Sequence, residues 1–154
     1  ETGVDCGGIC PPCDTTTVNS ISFSINGKGV AITDFAANRN PFNNPTIIGL
    51  IAVTNGGEKL SILLQKPAST GWNDGLSFLS LNPPNQMLYE VTNNNGNPTF
   101  YSSANGNNAE EVSFLKLDYK EGGKVKGSFS GVLEDENGNT VSIENGSFDA
   151  AFVN

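Results

Sequence analysis

The sequence predicts an all-β protein, either an antiparallel β-sandwich or a closed barrel, with about eight to ten strands. Three observations support this fold class. Apolar and polar residues alternate over several short runs, as they do in strands with one buried face. Turn residues separate these runs, and the 154-residue chain contains 18 Gly and 8 Pro. No window carries the 3.6-residue apolar stripe of an amphipathic helix.

The chain is predicted to contain one domain preceded by a short stalk. A length of 154 residues suits a single hydrophobic core. All three cysteines, Cys6, Cys10 and Cys13, lie in residues 1–19, which end in a polar, Thr-rich linker. We therefore expect a disulfide-bearing stalk over residues 1–19 and a single antiparallel β domain over residues 20–154.

The cysteines predict at least one disulfide within the segment from Cys6 to Cys13. Because three is an odd number, one cysteine is expected to pair upstream of Glu1 or with another chain. A redox pair and a zinc site are the alternatives for a Cys-Pro-Pro-Cys element. A redox pair of this kind lies at the start of a helix that follows a strand. A zinc site needs a fourth ligand, and the chain has no His and no second Cys pair to provide it.

The first part of the domain predicts a hairpin followed by a loop. Residues 20–25 alternate Ser with Ile and Phe, and Asn26-Gly27 suits the positive φ angles of a tight turn. Residues 30–33 are the expected partner strand. Residues 34–45 are rich in Asn and contain two prolines, and we interpret them as a loop.

A second hairpin follows and is expected to form the centre of the core. Residues 47–53 form a nearly continuous apolar run, which predicts a central strand buried on both faces. A turn at residues 55–57 leads into residues 60–64, where apolar residues alternate again. The middle of the domain is less regular. Short strands are expected there at residues 76–81, 87–92 and 99–102.

The end of the chain shows the clearest strand pattern. Apolar residues or Gly occupy alternate positions from Val125 to Leu133, and the same parity continues to Ile143 beyond a turn. Phe148 and the apolar residues after it follow the opposite parity. A bulge at Asn145-Gly146 would insert one extra residue and so keep both sets facing one core.

The charge balance argues against nucleic acid as a partner. The chain has 8 Lys and Arg against 16 Asp and Glu, a formal net charge of −8, whereas phosphate binding requires clustered cations. The lysines nearest to a cluster flank a Gly-Gly turn beside acidic residues, and they are Lys116, Lys120, Lys124 and Lys126. We interpret them as a solvated hairpin rather than a site for phosphate or an acidic ligand.

The sequence contains no run approaching the roughly 18 apolar residues that a membrane span needs. It starts at Glu1 without a hydrophobic region, so we expect a mature or trimmed fragment whose signal segment has been removed. Contact with a membrane is then expected only through a lipid anchor upstream of residue 1.

Residues 1–13, Glu-Thr-Gly-Val-Asp-Cys-Gly-Gly-Ile-Cys-Pro-Pro-Cys, resemble a cysteine element found near the start of exported proteins and lipoproteins of the Bacteroidetes type. That element usually begins with a further Cys upstream, which this chain lacks, and truncation would explain the odd cysteine count. The turn at residues 25–27 and the closing pair from Gly127 to Phe148 are similar to those of small Bacteroidetes lipoprotein domains of unknown function. The resemblance implies an extracellular or outer-surface location rather than an activity.

The sequence offers few groups for catalysis or metal binding. Without His, catalysis by Ser–His–Asp, by Cys–His or by a His-bound metal is excluded, and we predict no catalytic residue, no metal and no cofactor. Residues 135–139 are similar to part of a calcium loop but lack the distal Glu, so a hairpin turn explains them better. The carboxylates available for glycoside hydrolysis are Asp74, Glu90, Glu110 and Glu111.

Trp72, Asn73 and Asp74 are the predicted ligand-binding residues. Trp72 is the single Trp of the chain and lies among small residues, which would leave its ring accessible. An indole ring beside amide and carboxylate groups suits stacking on a sugar and hydrogen bonding to its hydroxyls. The alternative is that Trp72 folds back and covers one end of the core.

These observations predict a non-enzymatic, cell-surface or secreted binding or adhesion domain that recognises a glycan or a surface protein. The alternative is a self-assembling, pilus-like filament subunit, in which a sheet edge would pair with a strand donated by residues 15–20 of a neighbour. A glycoside hydrolase is the third hypothesis.

Overall fold

The computed structural model describes residues 19–39, 41–93, 95–105 and 110–153. The three cysteines, and with them the predicted disulfides of the stalk, lie outside these ranges. Within the ranges the chain forms strands, turns and two short 3-10 segments, with no α-helix. The all-β fold class predicted from the sequence is therefore confirmed.

The described part of the chain contains eleven β-strands. They are β1 (Ser20–Ile25), β2 (Lys28–Gly29), β3 (Ile32–Asn38), β4 (Ile47–Thr54), β5 (Lys59–Gln65), β6 (Ser77–Leu79), β7 (Gln86–Thr92), β8 (Pro98–Ser102), β9 (Glu111–Leu117), β10 (Lys124–Glu134) and β11 (Thr140–Ala151). The number exceeds the prediction in part because β2 holds only two residues, too few to show an alternating pattern.

The strands pair antiparallel in one continuous sheet that is not closed into a barrel. This sheet folds over into a sandwich-like arrangement of two layers. The first layer has the order β2-β1-β11-β10-β9-β6, and the second has the order β3-β4-β5-β7-β8. The layers meet at two corners, where Glu134 pairs with Ser102 and where Ala37 forms an isolated bridge with Phe152.

A cluster of buried apolar side chains lies between the two layers. The first layer contributes most of the buried phenylalanines: Phe114 and Phe148 have centroids 5.7 Å apart, and Phe129 lies 6.2 Å from Phe148. Tilted or edge-on contacts at such distances are favourable for phenyl rings. The second layer contributes mainly aliphatic side chains, namely Ile48, Leu50, Leu60, Ile62, Leu64 and Met87.

The bulge predicted at Asn145-Gly146 is confirmed. The register between β10 and β11 shifts there, and Asn145 has a positive φ of 54°. Ile143 and Phe148, which have opposite parity in the sequence, are therefore both buried in the same core. A Cβ on Gly146 would lie 2.5 Å from the carbonyl oxygen of Phe129, so only Gly fits at this close approach.

Two predictions about the start of the domain are wrong. Residues 34–45 are not one loop, because β3 extends to Asn38 and pairs with β4. Residues 30–33 do not form the partner strand of β1, because β2 is that partner and Val30 adds a single hydrogen bond to Phe23 before the chain crosses to the second layer. The pattern of β3 was concealed because it is an edge strand in which only Ala37 is fully buried.

The prediction that residues 47–53 are buried on both faces is also wrong. The inward-facing side chains of β4, including Ile48 and Leu50, are buried. On the outward face Ile51 is 38% exposed and Val53 is half-buried. The continuous apolar run therefore reflects an uncovered outer face in the second layer rather than a layer packed on top of it. The hairpin of β4 with β5, by contrast, is confirmed.

The lysine-rich hairpin is confirmed as the connection between β9 and β10, where Gly122 has a positive φ of 73°. Its lysines are spread over separate ion pairs rather than gathered around one site. The pairs are Lys116 with Asp74 at 3.5 Å, Lys120 with Asp118 at 3.2 Å and Lys124 with Asp149 at 2.5 Å.

Candidate binding surface

Trp72 packs against the end of the core. Its ring stacks on Tyr119 with a centroid distance of 5.5 Å and lies 6.3 Å from the ring of Phe78. The Tyr119 hydroxyl is within hydrogen-bonding distance of the carbonyl oxygens of Arg39 and Pro45, and burial raises its pKa. Trp72 is half-buried and so covers one end of the core, while its role in sugar stacking stays a prediction.

Asp74 fixes the position of the same loop. One carboxylate oxygen accepts a hydrogen bond of 2.7 Å from the backbone N–H of Leu117, and the other lies 3.5 Å from Lys116 Nζ. Asp74 also borders a cavity of about 480 Å³ whose lining includes Leu115 and Lys126. Of the three predicted ligand-binding residues, Asp74 is thus placed at the margin of the outer face of the first layer, and Asn73 beside it is exposed.

A row of five serines crosses the outer face of the first layer. Ser77 of β6 is opposite Ser113 of β9, which is opposite Ser128 of β10, which is opposite Ser147 of β11, which is opposite Ser22 of β1. Neighbouring strands are about 4.8 Å apart, so the row spans about 19 Å. The two end pairs, Ser77 with Ser113 and Ser22 with Ser147, have Oγ atoms 3.1 Å apart. We call this feature the serine row.

A repeated dipeptide in the sequence builds the serine row. Each of the five serines is followed by a phenylalanine, and each phenylalanine is buried. Because side chains alternate between the two faces of a strand, every Ser-Phe pair places its ring in the core and its hydroxyl outside. The prediction from the sequence missed the row. The five Ser-Phe dipeptides are the feature of the sequence that could have indicated it, but only the cross-strand register shows that they align.

Exposed leucines border the serine row. Leu79 is 68% exposed on β6, and Leu115 is 63% exposed on β9. A shallow cavity of about 350 Å³ lies between Ser113, Leu115, Lys126 and Ser128. Two serines at the centre of the row therefore line a shallow depression that is bordered by an apolar side chain, Leu115, and a charged one, Lys126.

The outer face of the second layer has a different character. Ile51 and Phe100 are 38% and 45% exposed, and Leu63 and Leu88 are half-buried. The charged side chains of Lys59 and Glu90 occupy cross-strand positions on β5 and β7. This face carries scattered apolar side chains between charged ones, which is ordinary for a protein surface.

In the turn at residues 135–139, the carboxylate of Asp135 accepts hydrogen bonds from other residues of the same turn. Asp135 accepts hydrogen bonds from the backbone N–H groups of Asn137 and Asn139, at 2.9 and 2.8 Å, and from Asn139 Nδ2 at 2.9 Å. The Asn139 side chain, followed by these backbone groups, lowers the pKa of Asp135. Gly138 adopts a φ of 85°. These contacts confirm the hairpin-turn interpretation.

Three of the four carboxylates considered for glycoside hydrolysis, Asp74, Glu90 and Glu111, lie apart. Glu90 is on the outer face of the second layer, and Glu111 is on the outer face of the first. Asp74 binds Leu117, six residues along β9 from Glu111, which is roughly 20 Å at the rise of a strand. A glycosidase pair requires a separation of about 5 to 9.5 Å. Glu110 is buried.

The described ranges contain no group of three or more His, Cys, Asp and Glu side chains that could hold a metal ion. In the same ranges no helix has the length and hydrophobicity required to cross a membrane. Comparison with protein-family models, with curated proteins and with solved structures finds no match to this chain. The function must therefore be argued from the geometry of the surface.

Proposed function

We propose that this protein is a non-enzymatic, cell-surface or secreted binding domain that recognises a polysaccharide through the serine row. The observation that carries the proposal is the alignment of five hydroxyl groups across five neighbouring strands. A hydroxyl group both donates and accepts hydrogen bonds, as do the hydroxyl groups of a sugar. The row thus offers a linear, chemically matched surface to an extended glycan.

The energetics favour a polymer over a single sugar. One hydrogen bond exchanged with water contributes only about 0.5 to 1.5 kcal/mol, and an exposed one is at the low end of that range. Several sugar units lying along the row would make such contacts together. Leu79 and Leu115, exposed at the margins, would cover the apolar C–H faces of the sugar rings.

The predicted residues of the Trp72 loop extend this surface. Asp74 borders a cavity beside the serine row, on the side toward the connection between β9 and β10, and Asn73 is exposed next to it. We expect their amide and carboxylate groups to bind sugar hydroxyls at that position. Trp72 supports them by stacking on Tyr119, so its contribution to binding is expected to be mainly through the position of the loop.

The test is a co-sedimentation assay with insoluble polysaccharides, namely cellulose, chitin, a β-1,3-glucan and a mannan. We expect the native chain to bind at least one of them. The double variant Ser113→Ala/Ser128→Ala should lose about fivefold in affinity, the equivalent of two lost hydrogen bonds of about 0.5 kcal/mol each. Ser61→Ala is the matched control, because Ser61 lies in β5 opposite Leu88 on the outer face of the other layer.

Equal binding by the double variant and the control would contradict the assignment of the row. An absence of binding to all four polysaccharides, and to a soluble glycan array, would remove the glycan from the proposal. The extracellular location is a separate proposal supported by the resemblance of residues 1–13. It predicts that protease added to intact cells removes the protein, and resistance to the protease would contradict it.

A further inference from the structure

Two strand edges face each other across a groove between the layers. β2 pairs with Ser24 and Ile25 of β1, and no strand in the described part of the chain pairs with the same side of β1 at residues 20–22. β3 is the last strand of the second layer, and on its side away from β4 the described residues form only the bridge at Ala37, near one end of the strand. The groove between them has a volume of about 370 Å³. Its lining is Asn19, Ser20, Ile21, Ile32, Thr33, Asp34 and Phe35.

The backbone of β1 directs hydrogen-bonding groups into this groove. The backbone N–H of Val30 donates to the carbonyl of Phe23 at 3.3 Å, on the side of β1 away from β11. Peptide groups of residues two apart point the same way along a strand. The N–H and C=O groups of Ile21 therefore face the groove as well.

The backbone of β3 also directs hydrogen-bonding groups into the groove, from the side opposite β1. The N–H of Val153 donates to the carbonyl of Ala37 at 3.0 Å, on the side of β3 away from β4. By the same periodicity the N–H and C=O groups of Phe35 face the groove. Each edge thus presents a backbone donor and acceptor, which is what a strand joining a sheet edge requires.

The groove has a definite length. It is bounded at one end by the hydrogen bond between Val30 and Phe23 and at the other by the bridge between Ala37 and Phe152. Ile32 and Ala37 are five steps apart on β3, so the edge between these ends measures about 17 Å. A strand of about five residues would fill it.

The chain itself supplies a four-residue segment that is close to this length and has a suitable composition. Asn19 lines the groove, and its side chain accepts a hydrogen bond from the backbone of Ala151 at 3.0 Å. Residues 15–18, immediately before it, read Thr-Thr-Thr-Val. β-branched residues favour strands. To enter the groove of its own molecule, the chain would have to reverse next to Asn19, and a tight turn uses at least two residues, which would leave fewer of residues 15–18 to fill the groove.

We propose that the groove receives residues 15–18 of a second copy of this chain, and that the exchange is reciprocal. Residues 15–18 are joined to Asn19, which lines the groove of their own molecule. The segment therefore leaves its own molecule next to the groove that receives the partner's segment. Two copies related by a two-fold axis would then place each segment in the other's groove at the same time. Such an exchange closes on itself and produces a dimer rather than an open filament.

The test compares two proline variants of the full chain in reducing buffer, which prevents disulfide-linked dimers. Thr16→Pro removes a backbone donor within the donated segment, and Thr2→Pro is the control outside it. Sedimentation over a concentration series should show a dimer for the native chain and for Thr2→Pro. Thr16→Pro should raise the dissociation constant at least about tenfold, since one carbonyl of the groove loses its partner.

Three results would overturn the proposal: a native chain that is monomeric at several hundred micromolar, an open-ended polymer, or equal dissociation constants for the two variants. Both substitutions lie before the first strand, so circular dichroism should be unchanged in both. The proposal does not depend on glycan binding, because the groove and the serine row use different residues.

Discussion

The outer faces of the two layers differ, although their inner faces serve the same core. The first layer carries a row of five hydroxyl groups, and the second carries scattered apolar side chains such as Ile51 and Phe100 between charged ones. Burying the inner face requires only that every second residue be apolar. The comparison therefore teaches that the fold leaves the outer positions free, and that the regular arrangement on the first layer needs an explanation other than stability.

The largest effect is expected from removing the bulge at Asn145, which lets the residues before and after it on β11 face the same core. Deleting Asn145 should move Phe148 and the residues after it to the opposite face of β11. Exposing two phenylalanines would lower the free energy of unfolding by roughly 3 to 6 kcal/mol. Urea denaturation measures the change. Deleting Asn137 from the exposed turn is the control, and an equal loss in both variants would contradict the account of the bulge.

The next effect compares one aromatic ring from each kind of face. Phe148→Ala removes a buried ring that contacts Phe114 and Phe129, and should cost about 3 to 5 kcal/mol of stability. Phe100→Ala truncates a ring that is 45% exposed on the second layer, and should cost less than about 1 kcal/mol. Thermal and urea unfolding would measure both. Similar losses would show that the outer face of the second layer is covered in solution.

A smaller effect concerns the turn that joins β10 to β11 in the first layer. Hydrogen bonds from Asn139 and its neighbours lower the pKa of Asp135 in the folded state. Their contribution to stability is therefore complete above the ordinary Asp pKa of about 3.9 and is lost as the pH falls through the lower folded value. Asp135→Asn should flatten the stability profile in this acidic range. A variant profile parallel to the native one below pH 4 would contradict the assignment.

The smallest effects should come from exchanging outer-face residues between the layers. Ser128→Ala in the serine row and Ile51→Ser on the second layer should each change the free energy of unfolding by less than about 0.5 kcal/mol. Neither side chain belongs to the core. A loss above 1 kcal/mol for Ser128→Ala would mean that the row stabilises the sheet, and the proposal that it exists for binding would lose its basis.

The elements that the sequence predicted well are those with a strong alternating pattern and one buried face. The hairpins of β4 with β5 and of β10 with β11 belong to this group, and so does the bulge at Asn145, which showed itself as a change of parity. The strands expected in the irregular middle, at residues 76–81, 87–92 and 99–102, are present as β6, β7 and β8 with slightly different ends.

The elements that could not be predicted depend on contacts between distant parts of the chain. β3 looked like a loop because an edge strand needs few buried residues. The partial burial of Trp72 could not be predicted because it depends on stacking with Tyr119, which is 47 positions later in the sequence. The serine row is a property of register, and a single sequence does not reveal which Ser-Phe pairs lie side by side.

The central claim is that a glycan binds to the serine row. The most direct test is to map by NMR which of the two outer faces the glycan contacts. Amide chemical shifts of labelled protein would be followed while a soluble oligosaccharide from the polysaccharide that binds is added. The account predicts the largest shifts at Ser113, Ser128 and Ser147, with smaller ones at Asp74. Shifts centred on Ile51 and neighbouring positions of the second layer would contradict it, because the binding surface would then lie on the other side of the molecule.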